Sequence, residues 1–362
     1  MDCSPFEVTT DRTYSKREGK YKKSKLRRTM YTSAVCTEIG KPLEIQHRKQ
    51  HGLSPADNEI LVSVKYCGVN FADILICQGK YQSSFSVPFT AGAEVTGIVS
   101  EVGKKVTSLV KGDKVVAVAS NGGFATHCIA PEQFSWKLPT SVDLKSGAAL
   151  LCNYGTAYLA LTRKANVQPG ETVLVTAAAG GTGLAAVEVA SKVLKAKVIA
   201  ACGSAEKGEL AKEKGAVYVI DYKKEKVREK IKEITKGKGV NVVFDPVGGD
   251  LFLDYVKSLS DEGRILTIGY ASGKIPNIPA NLLLLKSASA MGITWGDYRR
   301  LNPPVFQQSV IDVLEQASLG NMTPHIGKEF PLSKINEAFQ YVVGRNSTGK
   351  VLISIDKQDS NL

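Results

Sequence analysis

Small residues follow an apolar run in the stretch ETVLVTAAAGGTGLAAVEVA at 171–190. The run Thr172–Thr176 predicts a β-strand, while Leu184, Val187 and Ala190 recur at helical spacing. A strand, a tight glycine turn and a helix in this order leave backbone N–H groups free at the positive end of a helix dipole, where no side chain keeps a pyrophosphate away. The predicted phosphate-binding residues are Ala179, Gly180, Gly181, Thr182 and Gly183.

The glycine spacing fits the dinucleotide-binding pattern G-x-G-x-x-A. Gly181, Gly183 and Ala186 occupy its three fixed positions, although a register that starts at Gly180 is also open. Glycines in such a turn also serve a helix that packs closely on a sheet and binds nothing. The pattern therefore predicts a nucleotide site, with a purely structural turn as the alternative.

The end of the next predicted strand indicates which nucleotide the turn would bind. Lys197–Cys202 is the second strand of a βαβ unit, and an NAD site would place Asp or Glu just after it to bind the adenosine ribose. This sequence has Gly203 and Ser204 there, so no carboxylate repels a 2′-phosphate. Ser204 can donate a hydrogen bond to that phosphate, and Lys207 can supply a positive charge. The sequence therefore favours NADPH as the cofactor.

Two observations leave NADH as an alternative cofactor. Glu206 and Glu209 follow the same strand, and either carboxylate could approach the ribose. Taken alone, Lys207 could equally be a solvated lysine on the protein surface.

Size and composition limit the class of protein. The chain has 362 residues, of which 43% are hydrophobic, so it can bury two cores and two domains are expected. No run approaches the roughly 18 apolar residues of a membrane span. Seven cysteines are scattered without a C-x-x-C pair, which favours a reducing compartment over a disulfide framework. The expected location is cytoplasmic, with the mitochondrion as the alternative.

The N-terminal stretch carries a large share of the net charge of +12. Residues 1–28 hold nine Lys and Arg against four Asp and Glu, with few apolar residues. Residues 1–29 are therefore predicted to be a disordered basic extension. This extension could be a solvated tail, an organelle-targeting segment or a nucleic-acid contact. The acidic residues argue against a transit peptide, and the scarcity of aromatic residues disfavours nucleic acid as a partner.

The elements predicted around the glycine turn divide the chain in two. From Tyr31 to Pro139 the sequence is rich in β-branched residues and punctuated by glycines, which predicts a compact antiparallel β domain. The six strands predicted after it are Thr172–Thr176, Lys197–Cys202, Tyr218–Ile220, Val242–Asp245, Arg264–Gly269 and Ala290–Trp295. Six strands with intervening helices predict a doubly wound parallel sheet. A closing strand at Lys350–Ile355 is expected to rejoin the first domain.

Eight segments carry a resemblance to a known superfamily. They are GVNFADIL at 68–75, AGAEVTGIVSEVG at 91–103, KGDKV at 111–115, YGTAYLAL at 154–161, VLVTAAAGGTG at 173–183, DPVGGD at 245–250, GRILTIG at 263–269 and STGKVLISI at 347–355. Through them the chain resembles the medium-chain dehydrogenase/reductase superfamily, and within it the zinc-free quinone oxidoreductases. The resemblance implies an α/β fold: a doubly wound parallel Rossmann sheet at 154–295 plus a discontinuous, mostly β GroES-like catalytic domain at 30–153 and 296–362.

The residues at the zinc positions of related alcohol dehydrogenases argue against a bound metal. Those enzymes hold catalytic zinc through two Cys and one His, and the corresponding residues here are Asn70, Ala93 and Cys152. One thiolate is too few, because a catalytic zinc site usually has three protein ligands. The lobe that would bind structural zinc retains only Cys128. No metal site is predicted, and Glu94, beside the lost His, is expected to accept structural hydrogen bonds.

The lack of zinc ligands limits the classes of compound that the enzyme could reduce. An alkoxide is hard to stabilise without a Lewis acid, whereas quinones and α,β-unsaturated carbonyls (enones) delocalise the incoming charge themselves. The resemblance implies that Asn70 lies beside the nicotinamide, where its amide would hold the cofactor or the acceptor oxygen. It also implies that Tyr81 lines the cleft and donates a hydrogen bond. These are the two predicted catalytic residues, although an Asn after Gly-Val is also a good loop former.

The resemblance extends to the rest of the cofactor and to assembly. It implies that Thr156 contacts the phosphates or ribose, that Lys207 and Tyr222 hold the 2′-phosphate, and that Gly269 lies near the nicotinamide. A helix-capping hydroxyl at Thr156 and a surface aromatic at Tyr222 are the alternatives. Related reductases form homodimers by continuing the nucleotide-domain sheet across a twofold axis, so a homodimer is implied as well.

Two other functions are open. An enoyl-thioester reductase would use the same cofactor but would need a deep channel for a pantetheine arm. A cofactor-binding scaffold would keep NADPH, turn over slowly and associate with a partner such as nucleic acid through the basic extension. Deleting residues 1–28 separates an enzyme from a scaffold, because an enzyme keeps its NADPH-dependent turnover and a scaffold loses its partner.

Overall fold

The computed structural model describes residues 30–40, 45–51, 53–82 and 85–355, and the predicted basic extension at 1–29 lies outside these residues. The strands are β1 (Met30–Cys36), β2 (Ile45–His51), β3 (Glu59–Val69), β4 (Phe89–Thr90), β5 (Glu94–Val102), β6 (Lys114–Val118), β7 (His127–Pro131), β8 (Ser135–Lys137), β9 (Thr172–Val175), β10 (Lys197–Cys202), β11 (Tyr218–Asp221), β12 (Val240–Asp245), β13 (Leu259–Thr267), β14 (Ser289–Gly292), β15 (Ile326–Pro331) and β16 (Lys350–Ser354). The α-helices are α1 (Phe71–Cys77), α2 (Leu144–Gly147), α3 (Leu151–Leu159), α4 (Gly181–Glu188), α5 (Ala205–Glu213), α6 (Val227–Ile234), α7 (Phe252–Lys257), α8 (Ala280–Lys286), α9 (Tyr298–Leu301), α10 (Pro303–Ser318) and α11 (Ile335–Val343). No helix in the described ranges is both long and apolar enough to cross a membrane.

A six-stranded parallel sheet organises the second half of the chain. Its strand order is β11-β10-β9-β12-β13-β14. Counted along the chain, this order is 3-2-1-4-5-6, the doubly wound topology that binds dinucleotides at the carboxyl ends of its strands. Each of the six predicted strands overlaps an observed one, so the predicted fold class is confirmed for this domain.

Alternating burial explains why helices cover both faces of this sheet. Val173 and Val175 of β9 point into one core, and Leu174 points into the other. Successive side chains of a strand face opposite sides, so a strand that is apolar throughout needs a covering layer on each side. The first core is closed by α3 and α10, and the second by α6 and α7.

The other large sheet is mostly antiparallel and has the order β15-β16-β3-β5-β6-β8, with β7 also paired to β3. A separate three-stranded sheet has the order β2-β1-β4. The expected return of the closing strand is confirmed, because β16 pairs with β3, joining Val351 to Val69 and Leu352 to Gly68. The first domain is therefore completed by strands that follow the nucleotide-binding sheet.

The packing of helix α10 indicates where the second domain boundary lies. Its buried residues Phe306, Val310 and Val313 share the core of β9 and α3. We propose on this ground that the second boundary lies between α10 and β15, rather than at the 295/296 division expected from the sequence. The first boundary, near residue 153, stays a prediction.

Candidate active site

The turn after β9 brings helix α4 very close to its strand. Ala177 has a positive φ of 45°, and a Cβ added to Gly183 would lie 2.2 Å from the Ala177 carbonyl oxygen. Only glycine tolerates that approach. The close contact starts α4 directly beneath the end of β9, where the doubly wound topology collects its ligands.

The N-terminus of α4 presents unused backbone donors. Gly180 is its N-cap residue and supplies no capping side chain, so the N–H groups of the first turn have no intrahelical partner. A Cβ on Gly180 would meet only the Ala177 oxygen at 3.3 Å. Thr182 in this turn directs its hydroxyl to Asn153 Oδ1 on α3 at 3.2 Å. The predicted residues Ala179–Gly183 thus form an open, donor-rich turn that suits a phosphate.

The residues predicted to bind the adenosine end of the cofactor follow two neighbouring strands, β10 and β11. Ser204 is the N-cap of α5 and accepts a hydrogen bond from the Lys207 backbone at 3.3 Å. The Tyr222 hydroxyl would lie 2.7 Å from a Cβ added to Gly203, so the phenol covers that glycine. These residues are brought together, and no carboxylate stands at position 203 or 204.

Lys207 also contacts a residue that is not among those predicted from the sequence. Its Nζ donates to the Arg345 carbonyl oxygen at 3.1 Å, which places the backbone of a second basic residue beside Lys207. Arg345 follows α11 in the other domain and has a positive φ of 58°. In the sequence, Arg345 appears as a single basic residue between Gly344 and Asn346. A single Arg after a helix does not by itself predict a residue of the nucleotide site.

The two remaining predicted cofactor residues differ in their surroundings. Thr156 donates its hydroxyl to the Cys152 carbonyl one turn earlier, at 2.6 Å, so it is free only to accept a hydrogen bond. Gly269 follows β13, and the nearest atom to a Cβ added there would be the Pro246 oxygen at 3.6 Å. Gly269 thus leaves room at the carboxyl ends of β12 and β13, as the prediction requires.

Asn70 takes part in a buried polar cluster that connects three elements. Asn70 caps α1, and its Oδ1 accepts a hydrogen bond from Lys350 Nζ at 2.7 Å. The same ammonium contacts Glu94 Oε2 at 2.7 Å, and the two side chains are 3% and 0% exposed. Asn70 Nδ2 faces Glu94 Oε2 at 3.4 Å and the Gly68 oxygen at 3.3 Å. The sequence prediction missed Lys350 because lysine is normally a surface residue.

Glu94 is the acceptor expected from the sequence, and that interpretation is confirmed. One carboxylate oxygen accepts the Cys152 backbone N–H at 3.0 Å, and the other receives Lys350. A Cβ on Gly68 would lie 2.6 Å from Lys350 Cε and 2.8 Å from Glu94 Oε2, so glycine is needed there. Burial disfavours the charged lysine, but the Glu94 carboxylate outweighs it and raises the pKa of Lys350, which keeps the ammonium protonated.

The residues at the alcohol dehydrogenase zinc positions do not fit a catalytic zinc. Ala93 has no donor atom, and the Asn70 amide is engaged by Lys350. Burial, followed by the nearby Glu94 charge, raises the pKa of the Cys152 thiol well above its usual range, so it is a poor metal ligand. In the part of the chain that the structure describes, no three His, Cys, Asp or Glu side chains are grouped to hold a metal.

Tyr81 follows α1 and lies near Asp297 and Cys152. Burial raises the pKa of its phenol, and the nearby Asp297 and Cys152 act in the same direction. A phenol with a raised pKa stays protonated at neutral pH and can donate a hydrogen bond.

Trp295 belongs to the hydrophobic core. It is 4% exposed, its ring centroid lies 4.6 Å from that of Phe306, and it fills the space beside Gly155.

Asp73 gives this site a pH-dependent group that the sequence prediction overlooked. It lies in the first turn of α1, where its carboxylate accepts the Asn70 backbone N–H at 2.9 Å. Burial raises the pKa of Asp73 from 3.8 to about 7, against the opposing hydrogen bond from Asn70 and charge of Lys350. The folded protein therefore binds this proton more tightly than the unfolded chain does. Its contribution to stability is full below pH 4 and is lost as the pH rises to 7.

Replacing Asp73 with Asn should remove that loss. We expect the free energy of unfolding of Asp73→Asn, relative to the wild type, to increase by on the order of 2 kcal/mol between pH 5 and pH 8. Urea unfolding of both proteins across this range measures the difference, and other titrating groups cancel in it. A difference that stays constant with pH would show that Asp73 is already ionised at pH 5.

Comparisons with known proteins identify the family of this chain. Residues 56–140 match the family described as alcohol dehydrogenase GroES-like domain, and residues 181–316 match the family described as zinc-binding dehydrogenase. Quinone oxidoreductase-like protein 2 of Bos taurus is 47% identical over 325 residues, which cover 90% of this chain and 93% of that protein. Quinone oxidoreductase of Homo sapiens is 31% identical over 319 residues, which cover 87% of this chain and 95% of that protein.

Solved structures show the same fold. The crystal structure of Escherichia coli quinone oxidoreductase complexed with NADPH matches with a TM-score of 0.81 at 29% identity and covers 90% of this chain and 99% of that one. A mycobacterial protein complexed with NADPH matches with a TM-score of 0.83 at 31% identity and the same coverage. The α/β fold with a GroES-like domain and a Rossmann sheet is thereby confirmed. The chain belongs to the medium-chain dehydrogenase/reductase superfamily, among the quinone oxidoreductase-like oxidoreductases.

Proposed function

We propose that this oxidoreductase is zinc-independent and uses NADPH to reduce quinones or enones. The observation that carries the proposal is the buried Lys350 ammonium, which contacts Asn70 and Glu94 at 2.7 Å beside the positions where zinc alcohol dehydrogenases hold their metal. When bound, the reduced nicotinamide supplies a hydride. An ammonium has no vacant orbital, so unlike zinc it is not a Lewis acid for an alkoxide, and this one is already paired with a carboxylate. We therefore expect an acceptor that delocalises its own charge.

The choice of NADPH rests on the adenosine end. Ser204, Lys207 and Tyr222 surround the place where an NAD enzyme carries a carboxylate, and the Arg345 backbone lies beside Lys207. A doubly charged phosphate is attracted by such a set, whereas a ribose hydroxyl gains little from it. The NADPH complexes of the E. coli and mycobacterial proteins support the same choice.

The acceptor would lie between the two domains, close to Asn70 and Tyr81. The protonated Tyr81 phenol would donate a hydrogen bond to the acceptor oxygen as it gains charge. Asn70 would hold the carboxamide of the nicotinamide or the acceptor oxygen through its amide group. Thr156 would accept a hydrogen bond from a cofactor hydroxyl, and Gly269 would leave space for the nicotinamide end.

NADPH oxidation tests this function directly. The wild-type protein is assayed against ortho-quinones, para-quinones, enones and enoyl thioesters, and the series is repeated with NADH. We expect turnover with quinones or enones, a preference for NADPH, and a zinc content far below one atom per chain by elemental analysis. Turnover restricted to enoyl thioesters would support that alternative. A tenfold preference for NADH would contradict the assignment of Ser204, Lys207 and Tyr222.

We also propose that the chain forms a homodimer through the edge of the nucleotide-binding sheet. Strand β14 ends that sheet, and α8 beside it exposes Leu284 and Leu285, which are 80% and 76% accessible. An unpaired strand edge next to exposed leucines is costly in a monomer and is suited to pairing with a second copy.

Replacing Leu285 with Asp should shift this dimer to monomer. We expect a dimer mass for the wild type by light scattering and a monomer mass for Leu285→Asp at micromolar concentration. Leu319→Asp is the matched control, because Leu319 is also exposed but follows α10 on the other face of the sheet. A wild-type monomer, or equal dissociation of both variants, would contradict this interface.

We propose the cytoplasm as the location, with the mitochondrion as the alternative. Six cysteines in the described residues are free thiols, and most of them are buried, which suits a reducing compartment. Imaging of the tagged full-length protein against compartment markers distinguishes the two.

A further inference from the structure

Two consecutive residues connect the nucleotide turn to Asn70. The Gly349 backbone N–H donates to the Ala179 oxygen at 2.8 Å, and Gly349 forms an isolated parallel bridge with Gly180. The next residue, Lys350, begins β16 and directs its ammonium to Asn70 and Glu94. Lys350 is therefore the direct chain neighbour of the residue that contacts the nucleotide turn.

Gly349 is tightly held at this junction. Its φ is +56°, and a Cβ added to it would lie 2.2 Å from the His325 oxygen. The Lys350 backbone N–H donates to the same oxygen at 2.8 Å. The backbone at the start of β16 is therefore held by hydrogen bonds at both Gly349 and Lys350, and the Lys350 side chain is held by Asn70 and Glu94.

Lys350 also determines which way the Asn70 amide points. The ammonium can only donate hydrogen bonds, so the atom facing it at 2.7 Å must be the amide oxygen. A flipped amide would place its NH₂ group against the ammonium and its oxygen against the Glu94 carboxylate, and both contacts would be repulsive. The amide NH₂ is left with two long contacts of 3.3 Å and 3.4 Å. This group can therefore exchange a weak partner for a stronger acceptor.

We propose that Lys350 is a positioning residue that orients the Asn70 amide for the acceptor or nicotinamide oxygen. The inference rests on the proposed function, in which Asn70 faces the reacting groups. Its competitor is a purely structural ion pair that holds β16 against β3 and has no effect on Asn70.

A double-mutant cycle separates these roles. Removing Lys350 alone would leave a buried Glu94 charge unpaired, which strongly destabilises a folded protein. The pair is therefore replaced together, as Glu94→Gln with Lys350→Met, in the wild-type and Asn70→Ala backgrounds. We expect the pair replacement to lower kcat at least tenfold in the wild type, with the Kd for NADPH within threefold. In Asn70→Ala the same replacement should lower kcat less than twofold, because the group it acts through is gone.

A second measurement does not depend on turnover. With ¹⁵N-asparagine labelling, the Asn70 carboxamide signals are assigned by their loss in Asn70→Ala. We expect them to shift in the Glu94→Gln, Lys350→Met protein, with or without NADPH. The matched control is Glu329→Gln with Lys145→Met, which removes an exposed ion pair of the same 2.7 Å length. That control should change neither the Asn70 signals nor kcat.

The outcomes separate this inference from the proposed function. If the wild type oxidises NADPH with none of the acceptors, the proposed function fails, while the Asn70 signals still decide whether Lys350 orients the amide. Equal losses of kcat in both backgrounds, unshifted Asn70 signals, or failure of both Lys350→Met and the pair replacement to fold would make Lys350 structural and overturn the proposal.

Discussion

We expect Gly180→Asp to abolish NADPH binding while leaving the protein folded. Gly180 has φ −77° and ψ 168°, an extended conformation that any residue adopts, and a Cβ there meets only one oxygen at 3.3 Å. Asp is also a favourable N-cap residue, so it should stabilise α4. Its carboxylate would take up the free N–H groups and repel a pyrophosphate. The Kd for NADPH should rise by about 100-fold or more, which is about 2.7 kcal/mol.

Gly180→Ser is the matched control for this substitution. Serine caps a helix as well as aspartate does but carries no charge, so it should retain most of the binding that aspartate loses. Fluorescence titration with NADPH measures the Kd of each variant, and thermal unfolding verifies that both are folded. Equal weakening by Ser and Asp would indicate that side-chain volume matters rather than charge. Unchanged binding in Gly180→Asp would remove the phosphates from this turn altogether.

We expect Lys207→Glu to reverse the preference for NADPH over NADH. The Lys207 side chain is held toward Arg345 at 3.1 Å and lies in the same group as Ser204 and Tyr222. Reversing its charge removes one attraction for the 2′-phosphate and adds a repulsion, so the Kd for NADPH should rise on the order of 100-fold. NADH lacks that phosphate, and its Kd should change by less than about threefold.

Lys212→Glu is the control for this charge reversal. Lys212 lies on the same helix, is exposed and is paired with Glu209 at 2.8 Å, so it tests whether any change in helix charge weakens NADPH. The ratio of the two Kd values, measured for wild type and both variants at fixed ionic strength, gives the result. A similar ratio in Lys207→Glu and wild type would show that the 2′-phosphate does not bind at Lys207.

The nucleotide-binding half of the fold could be predicted because its signals are local. Thr172–Thr176 and the glycines that follow it specify a strand, a turn and a helix within one short stretch, and β9 and α4 form there. The strand Lys197–Cys202 was predicted with the observed limits for the same reason. A buried parallel strand reads as an uninterrupted apolar run, so periodicity and flanking glycines were sufficient.

The polar cluster beside Asn70 could not be predicted in full because its contacts are distant in sequence. Lys350 lies 256 residues after Glu94 and 280 after Asn70. Nothing local in STGKVLISI distinguishes a lysine that enters a sheet interior from one at the exposed start of a strand. Glu94 was assigned its role correctly because a missing metal ligand beside it made a catalytic role improbable. Arg345 was missed for the same reason as Lys350, since only the tertiary fold brings it to Lys207.

Strand β16 also constrains the order in which this protein can mature on the ribosome. It supplies Lys350 to the buried polar cluster beside Asn70 and pairs with β3, yet it is synthesised after the entire nucleotide-binding sheet. The nascent chain must therefore expose one edge of β3 throughout that interval, a condition that favours misassembly. The nucleotide-binding domain can fold while translation continues, whereas the polar cluster of Asn70, Glu94 and Lys350 forms only when β16 emerges.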